Sequence, residues 1–341
     1  MSEAFRHVDH ERTILFGVGA LDDAGDLLGD TFTLLTTPRA AHSAAGLVKR
    51  AAAVVHVPAG PVDVVAAELR ENVSGAKLVA LGGGRVIDVA KALAAADGPR
   101  EVAAIPTSLA GAEMTGVHRH ARGVAASTPK VRPSLVINDP ELSASQPIDQ
   151  LAASSANALG HAITALVSER STAIARAVAA QAITTLETGW LGEVPDRGEV
   201  ALGALLAGWA VDQSGLGPHH ALAQTAVRMA SLEHAHVNAA LLPLTVAAMR
   251  TRDRAAFERL DAALGRPVEA LADGLRRRAE LADVGQLGAD AELLDRTVAA
   301  AVKRPELARV SPALEHDEVR AIYIAAFTPD RRGPNPRQVA D

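Results

Sequence analysis

No cysteine occurs anywhere in the 341 residues, which excludes disulfides, iron–sulfur clusters, all-thiolate zinc sites and a thiolate nucleophile. Aromatic side chains are almost as scarce, at 2%. That is too few for the base-stacking platforms of single-strand-binding proteins. A core without rings must be filled by Ala, Val and Leu, so closely packed helices are expected. Positive charge is not in excess either: 34 Lys and Arg against 40 Asp and Glu give a net charge of −6. Nothing in that balance attracts nucleic acid or an anionic membrane. The Ala-rich runs are all interrupted by Asp, Lys, Arg or Gly. None reaches the roughly 18 apolar residues needed to span a bilayer. The opening MSEAFRHVDHERT lacks the apolar segment of a signal peptide. A cytoplasmic protein is expected, with no nucleic-acid or membrane partner.

Short apolar runs alternate with helix-period segments in the first part of the chain. The strands expected are Thr13–Phe16, Phe32–Leu35, Ala53–His56, Lys77–Leu81, Val102–Ile105 and Ser134–Ile137. Amphipathic stretches such as Pro38–Ala52, Val62–Asn72 and Val86–Ala95 lie between them. That alternation predicts βαβ units and a parallel sheet covered on both faces. From about Asp149 onward no convincing strand remains, only helical periodicity broken at 215–218, 266–267 and 304–305. The expected organisation is an α/β domain over 1–148 and an all-α domain over 149–341, with 331–341 as a disordered tail.

Two loops carry the first chemical signal. Leu81-Gly82-Gly83-Gly84-Arg85-Val86 leaves an apolar strand and opens a helix. Glycines there let backbone approach a ligand, and the free N–H groups of a helix start suit a pyrophosphate. The spacing matches neither G-x-G-x-x-G nor a Walker A loop. A tight turn without a ligand is the competing reading. The second loop, Ile105 to Thr115, places Pro106-Thr107-Ser108 at the next strand end, where open α/β sheets bind ligands.

The second signal is histidine. Five of the 12 fall between 161 and 236. Asn157 and His161 are four apart, as are His220 and Gln224, so each pair shares a helix face. Imidazoles converging from separate helices suit a divalent metal, whereas a lone histidine on an apolar helix is usually a satisfied core residue. His234-Ala235-His236 is similar to the His-x-His pair of metal-dependent hydrolases, but its surroundings are helical rather than a strand end.

Taken in order, these residues resemble the iron-containing (group III) alcohol dehydrogenase family, and within it the maleylacetate reductases. The resemblance rests on Gly82-Gly83-Gly84 with Asp88 and Lys91, Pro106-Thr107-Ser108, Gly111 to Thr115, and Asp139-Pro140-Glu141-Leu142. It continues through Asn157 to Ala162, His219 to Leu222, His234 with Asn238, and Leu242-Pro243. It implies a Rossmann-like parallel sheet followed by a helical domain, the architecture shared with dehydroquinate synthase, and a homodimer. It implies NAD(H) or NADP(H) held by Thr37, Gly82, Gly83, Gly84, Arg85, Asp88, Thr107 and Ser108. It also implies substrate chemistry at Asn157, His161, His220 and His234. In metal-dependent members His161, His220 and His234 would hold Fe or Zn, with an aspartate where this chain has Asn157.

Several departures shape the expectation. Asn157 offers a neutral oxygen, so a cation there keeps its charge uncompensated and its affinity falls. Gln224 stands where a further active-site histidine is usual in the family. Thr37 replaces the acidic residue that selects NAD in many relatives, so a 2′-phosphate is not repelled. The expected activity is an NAD(P)H-dependent oxidoreductase passing hydride to a small polar carbonyl or enoyl compound between the domains. Histidines near pKa 6.5 are expected to polarise the acceptor oxygen and exchange its proton. For a dicarboxylate, His118, Arg119, His120 and Lys130 are the cations nearest in sequence. The alternatives are a metal-dependent alcohol or aldehyde dehydrogenase, a dehydroquinate synthase-like cyclase, and a noncatalytic homologue.

Overall fold

A computed structural model describes residues 3–9, 12–232, 234–280 and 290–327. Seven strands form a single sheet: β1 (Phe5–Asp9), β2 (Arg12–Phe16), β3 (Thr33–Thr36), β4 (Ala53–His56), β5 (Lys77–Gly82), β6 (Glu101–Pro106) and β7 (Leu135–Asn138). Their spatial order is β1-β2-β7-β6-β5-β3-β4, parallel throughout except for β1, which runs antiparallel to β2. The six strands expected from sequence are all present, with ends shifted by a residue or so. β1 was not foreseen. It is an exposed edge strand whose alternation, Phe5-Arg6-His7-Val8-Asp9, is dominated by polar residues, so no apolar run announces it.

The central strands are apolar on both faces because both are covered. In β5, Leu78 and Ala80 pack toward α5 (Val62–Leu69) and α6 (Gly84–Asp97), while Val79 and Leu81 pack toward the helices before and after β3. The amphipathic stretch expected over 38–52 is two short helices, Pro38–Ser43 and Ala45–Arg50. They are separated at Ala44, whose backbone leaves the helical region (φ −136°, ψ 53°).

Beyond β7 the described residues form helices and the turns between them, with no further strand. The helices that matter for the site are α7 (Pro140–Ser143), α8 (Ile148–Val167), α9 (Ala173–Gly189), α10 (Arg197–Ser214), α11 (Pro218–Ala230) and α12 (His234–Arg250). The scarcity of rings has the expected consequence. A Cβ at Gly203 of α10 would lie 2.9 Å from the backbone nitrogen of Leu186 on α9, so these helices approach to backbone contact. The chain's single tyrosine, Tyr323, is fully buried and its hydroxyl donates to the Leu222 carbonyl of α11 at 2.8 Å. Residues 331–341, expected as a disordered tail, lie outside the described residues. Among the described residues no helix is long and apolar enough to cross a membrane.

Candidate active site

The sheet's topology sets one side of the site. The chain steps from β3 outward to β4, then returns to place β5 on the other side of β3. Crevices at such a reversal, at the carboxyl ends of the strands, are where open α/β sheets take ligands. The glycine loop leaves β5 there. Gly83 is the N-cap of α6, and no side chain caps that helix. A Cβ on Gly84 would sit 3.0 Å from the Ala110 methyl, and one on Gly83 would sit 3.1 Å from Ser108 Oγ. The two strand-end loops therefore touch through bare backbone, leaving a cradle that a side chain would fill. The helix-start N–H groups and the positive end of the α6 dipole face that cradle.

Lys91 holds the second loop in place. Its ammonium is fully buried and donates to the carbonyls of Ala112, Thr115 and Val117 at 2.9 to 3.0 Å. It also pairs with Asp88 at 2.7 Å. Burial pushes the Asp88 carboxyl up, with Lys91 opposing. A third tie crosses to the helical side, where the Leu109 N–H donates to Ser154 Oγ of α8 at 3.2 Å.

The helical wall is built on α8 and α11. Asn157 and His161 share one face of α8, as their four-residue spacing requires. α11 starts at Pro218 behind Gly217, where a Cβ would press within 2.5 Å of Thr164 on α8. This close seat brings His220, in the first turn of α11, onto His161. Their Nε2 atoms are 3.1 Å apart and the rings stack with centroids 4.3 Å apart. His234, in the first turn of α12, stands edge-on to His220 at 6.4 Å between centroids.

Both elements open onto a cleft of about 780 Å³. Gly84, Arg85, Asp88 and Ser108 line it from the sheet, and Asn157, His161, His220 and His234 from the helices. Gly82, Gly83, Thr107 and Thr37 do not line it. Gly82 and Gly83 form the turn behind Gly84, and Thr107 donates its N–H to the Gly82 carbonyl at 3.0 Å. The Thr37 hydroxyl caps the helix after β3 by accepting from the Ala40 N–H.

Electrostatics correct one expectation. Burial, reinforced by the neighbouring imidazoles His219 and His234, pushes His161 down to about 3. Burial and His161 hold His220 well below its ordinary value. Both rings are neutral near pH 7, so they are hydrogen-bonding groups there rather than stores of a titratable proton. His118 is corrected too. It is buried, its Nε2 accepts from the Val131 N–H at 3.0 Å, and burial lowers it to about 4. It is a neutral brace for its loop and neutralises no substrate. Of the four cations expected to meet an acidic ligand, Arg119 lines the cleft, whereas His118, His120 and Lys130 do not.

Unpaired polar atoms mark the cleft as a place for a polar guest. Asn157 Oδ1, His161 Nδ1 and His220 Nδ1 are buried and have no hydrogen-bond partner within the chain. Sequence reasoning also missed a lining residue, Arg228. It lies eight positions after His220 and four after Gln224, on the same face of α11, and that periodicity could have revealed it. His234 and His236, two apart on one helix, point to different sides, so they cannot act as a His-x-His ligand pair.

Residues 151–327 match the C-terminal part of the Fe-containing alcohol dehydrogenase family. The chain is 30% identical to maleylacetate reductase of Burkholderia cepacia over 343 aligned residues, covering 92% of this chain and 95% of that one. It is 32% identical to maleylacetate reductase 1 of Rhodococcus opacus, covering 71% and 67%. The crystal structure of maleylacetate reductase from Rhizobium sp. strain MTP-10005 superposes with a TM-score of 0.79 at 26% identity, covering 96% and 99%.

Proposed function

The chain belongs to the Fe-containing alcohol dehydrogenase family and is an NAD(P)-dependent oxidoreductase; from that premise we propose that it is a maleylacetate reductase-like enzyme that works without a metal. The observation that carries the reading is a single cleft lined both by the glycine cradle of Gly84 and by the paired imidazoles of His161 and His220.

The cradle fits a dinucleotide. Gly83, Gly84 and Arg85 would hold its diphosphate through α6's uncapped N–H groups, and Ser108 would face it from the second loop. A bound reduced nicotinamide supplies a hydride. The protein's own part is to hold the acceptor. With His161 and His220 neutral and one hydrogen bond shared between their Nε2 atoms, each ring keeps a nitrogen to offer elsewhere. The ring that accepts this bond presents a neutral Nδ1–H, which can stabilise negative charge developing on an acceptor oxygen without costing a buried cation, while its partner's Nδ1 offers a lone pair. The Asn157 amide lies on the same wall and orients the same ligand. His234 is exposed, so it exchanges protons with water and can return one to the acceptor. Thr37 brings no carboxylate to the ribose end and Arg39 is exposed nearby, so both NADH and NADPH are accepted.

A divalent metal does not fit this donor set. Among the described residues no three His, Cys, Asp or Glu side chains are placed to hold one. Asn157 contributes no charge, and the His161 and His220 Nε2 atoms bond to each other. The test is to assay NADH-dependent reduction of maleylacetate on protein whose metal content has been measured. Turnover that persists in excess chelator with substoichiometric iron and zinc is expected. Stoichiometric metal with activity lost on chelation would establish the metal-dependent alternative instead.

The cradle itself can be tested by Gly84→Val. The added side chain meets Ala110 across a 3.0 Å gap and fills the space before the α6 N–H groups. NADH affinity, followed by the cofactor's own fluorescence, is expected to fall at least about tenfold. An unchanged affinity in a variant with wild-type melting would place the dinucleotide elsewhere.

A further inference from the structure

Gln224 of α11 lines the cleft one helical turn beyond His220, and its carbonyl oxygen is held by two arginines. Arg304 Nη2 donates to Gln224 Oε1 at 3.1 Å and Arg228 Nη2 at 3.4 Å. Arginine only donates, so the oxygen must face these two groups and the amide nitrogen must face away. Arg304 is itself fixed by a fork to Glu306, at 3.0 Å from Nε and 2.8 Å from Nη2. Arg228 makes no ion pair among the described residues, although it lines a cleft that also receives Arg119. Arg119 is paired only loosely with Asp63, at 3.4 Å.

Two guanidinium groups thus meet on a side chain that carries no charge, and a third, Arg119, lines the same cleft. Partial burial, with Arg304 and Arg119 adding to it and Glu306 opposing, lowers the affinity of Arg228 for its proton. A glutamate at 224 would have the same shape and would neutralise the cluster internally. With glutamine in that place the positive charge stays available to a guest. Position 224 is not an acid, and the carboxylate that acts on Arg228, Glu306, is already forked to Arg304.

Resting on the proposed reductase reading, we infer that Arg228 and the Gln224 amide form a carboxylate-binding subsite for the substrate, and that Arg304 is its positioning residue. A carboxylate there would accept from Arg228 and from Gln224 Nε2, with Arg119 facing it from the sheet-side loop. The reactive carbon would then lie toward His220, one turn back along α11. The subsite is absent from the sequence reading because Arg304 reaches it from 80 positions away.

The probe is maleate, a dicarboxylate with no ketone to activate its double bond toward hydride, compared with dimethyl maleate, its uncharged counterpart; constant NADH absorbance during the titration verifies that it is bound and not reduced. Binding to the full chain with saturating NADH is measured by calorimetry, and NADH and NADPH affinities are measured separately. Wild type is expected to bind maleate at least about tenfold more tightly than the diester. Gln224→Glu and Arg228→Met should each weaken maleate by about tenfold or more while NADH and NADPH affinities stay within about twofold. Arg304→Met should weaken maleate similarly, and Arg304→Lys should restore part of it. Gln224→Glu is the safeguard against misfolding, since it adds a partner for two arginines and leaves the volume unchanged. The inference is overturned if maleate affinity survives these changes, or if the loss appears in the cofactor affinities, in which case the cations serve a nucleotide phosphate. If maleate binds as expected but maleylacetate is not reduced, the subsite stands and the reductase reading falls.

Discussion

Replacing His220 by Ala lowers kcat for maleylacetate reduction by roughly a hundredfold or more, the usual cost of removing one oriented donor from a developing negative charge. The buried ring is the member of the imidazole pair closest to Gln224 and Arg228 in sequence, and its Nδ1 has no partner within the chain. NADH affinity should stay near wild type, because the cradle at Gly84 belongs to the opposite wall. His161→Ala should have a comparable effect. The double variant should cost little more than the worse single one, since the two rings share one hydrogen bond and act as a unit. Rates measured under single-turnover conditions decide the matter. Full activity in folded His220→Ala would remove the imidazole pair from the reaction.

The same burial makes the protein acid-sensitive. Four histidines have folded-state values below their ordinary one: His118 and His219 at about 4, His161 at about 3, and His220 lower than its ordinary value by burial. A depressed value means that the unfolded chain takes up a proton that the native state refuses. The stability from such a group is intact above pH 6.5 and is lost as pH falls toward the folded value. Each histidine removes about 1 kcal/mol per pH unit in that window. Two carboxyls act in the opposite sense. Burial raises Glu113 to about 7 and raises Asp88, so they gain stability as pH falls. The four histidines outnumber the two carboxyls, so the net effect is a loss of stability as pH falls below 6.5. Urea midpoints taken at steps of half a pH unit should fall steadily across the window. A flat profile would mean that the cleft rings are protonated in the folded protein, contrary to the neutral pair proposed here. His219 deserves inclusion in that series as a variant, because its ring packs against Gly160 of α8, where a Cβ would lie 2.3 Å from its Cδ2.

Much of the fold was legible because its signals are local. β5 and β6 are short apolar runs ending in Gly or Pro, and each is followed by loop chemistry that only a strand end explains. The edge strand β1 was not legible, because an exposed antiparallel edge needs no apolar face. In the site, the four-residue spacing of Asn157 and His161 survives directly as a shared helix face. The neutrality of His161 and His220 could not be read from sequence, since it depends on how tightly α11 seats on α8 at Gly217. His118 misled because its sequence neighbours are basic, yet its ring is buried and accepts from the Val131 N–H. Arg228 was readable by periodicity from His220, whereas Arg304 was not, because nothing local links it to Gln224.

The central claim is that a dinucleotide on the Gly83–Gly84 turn faces the His161–His220 pair across one cleft. A crystal structure of the protein soaked with NADH tests it most directly. The diphosphate is expected on the first N–H groups of α6, with the nicotinamide ring lying beside His161 and His220. A diphosphate bound away from that turn, or a nicotinamide pointing out of the cleft with the two imidazoles walled off from it, would contradict it.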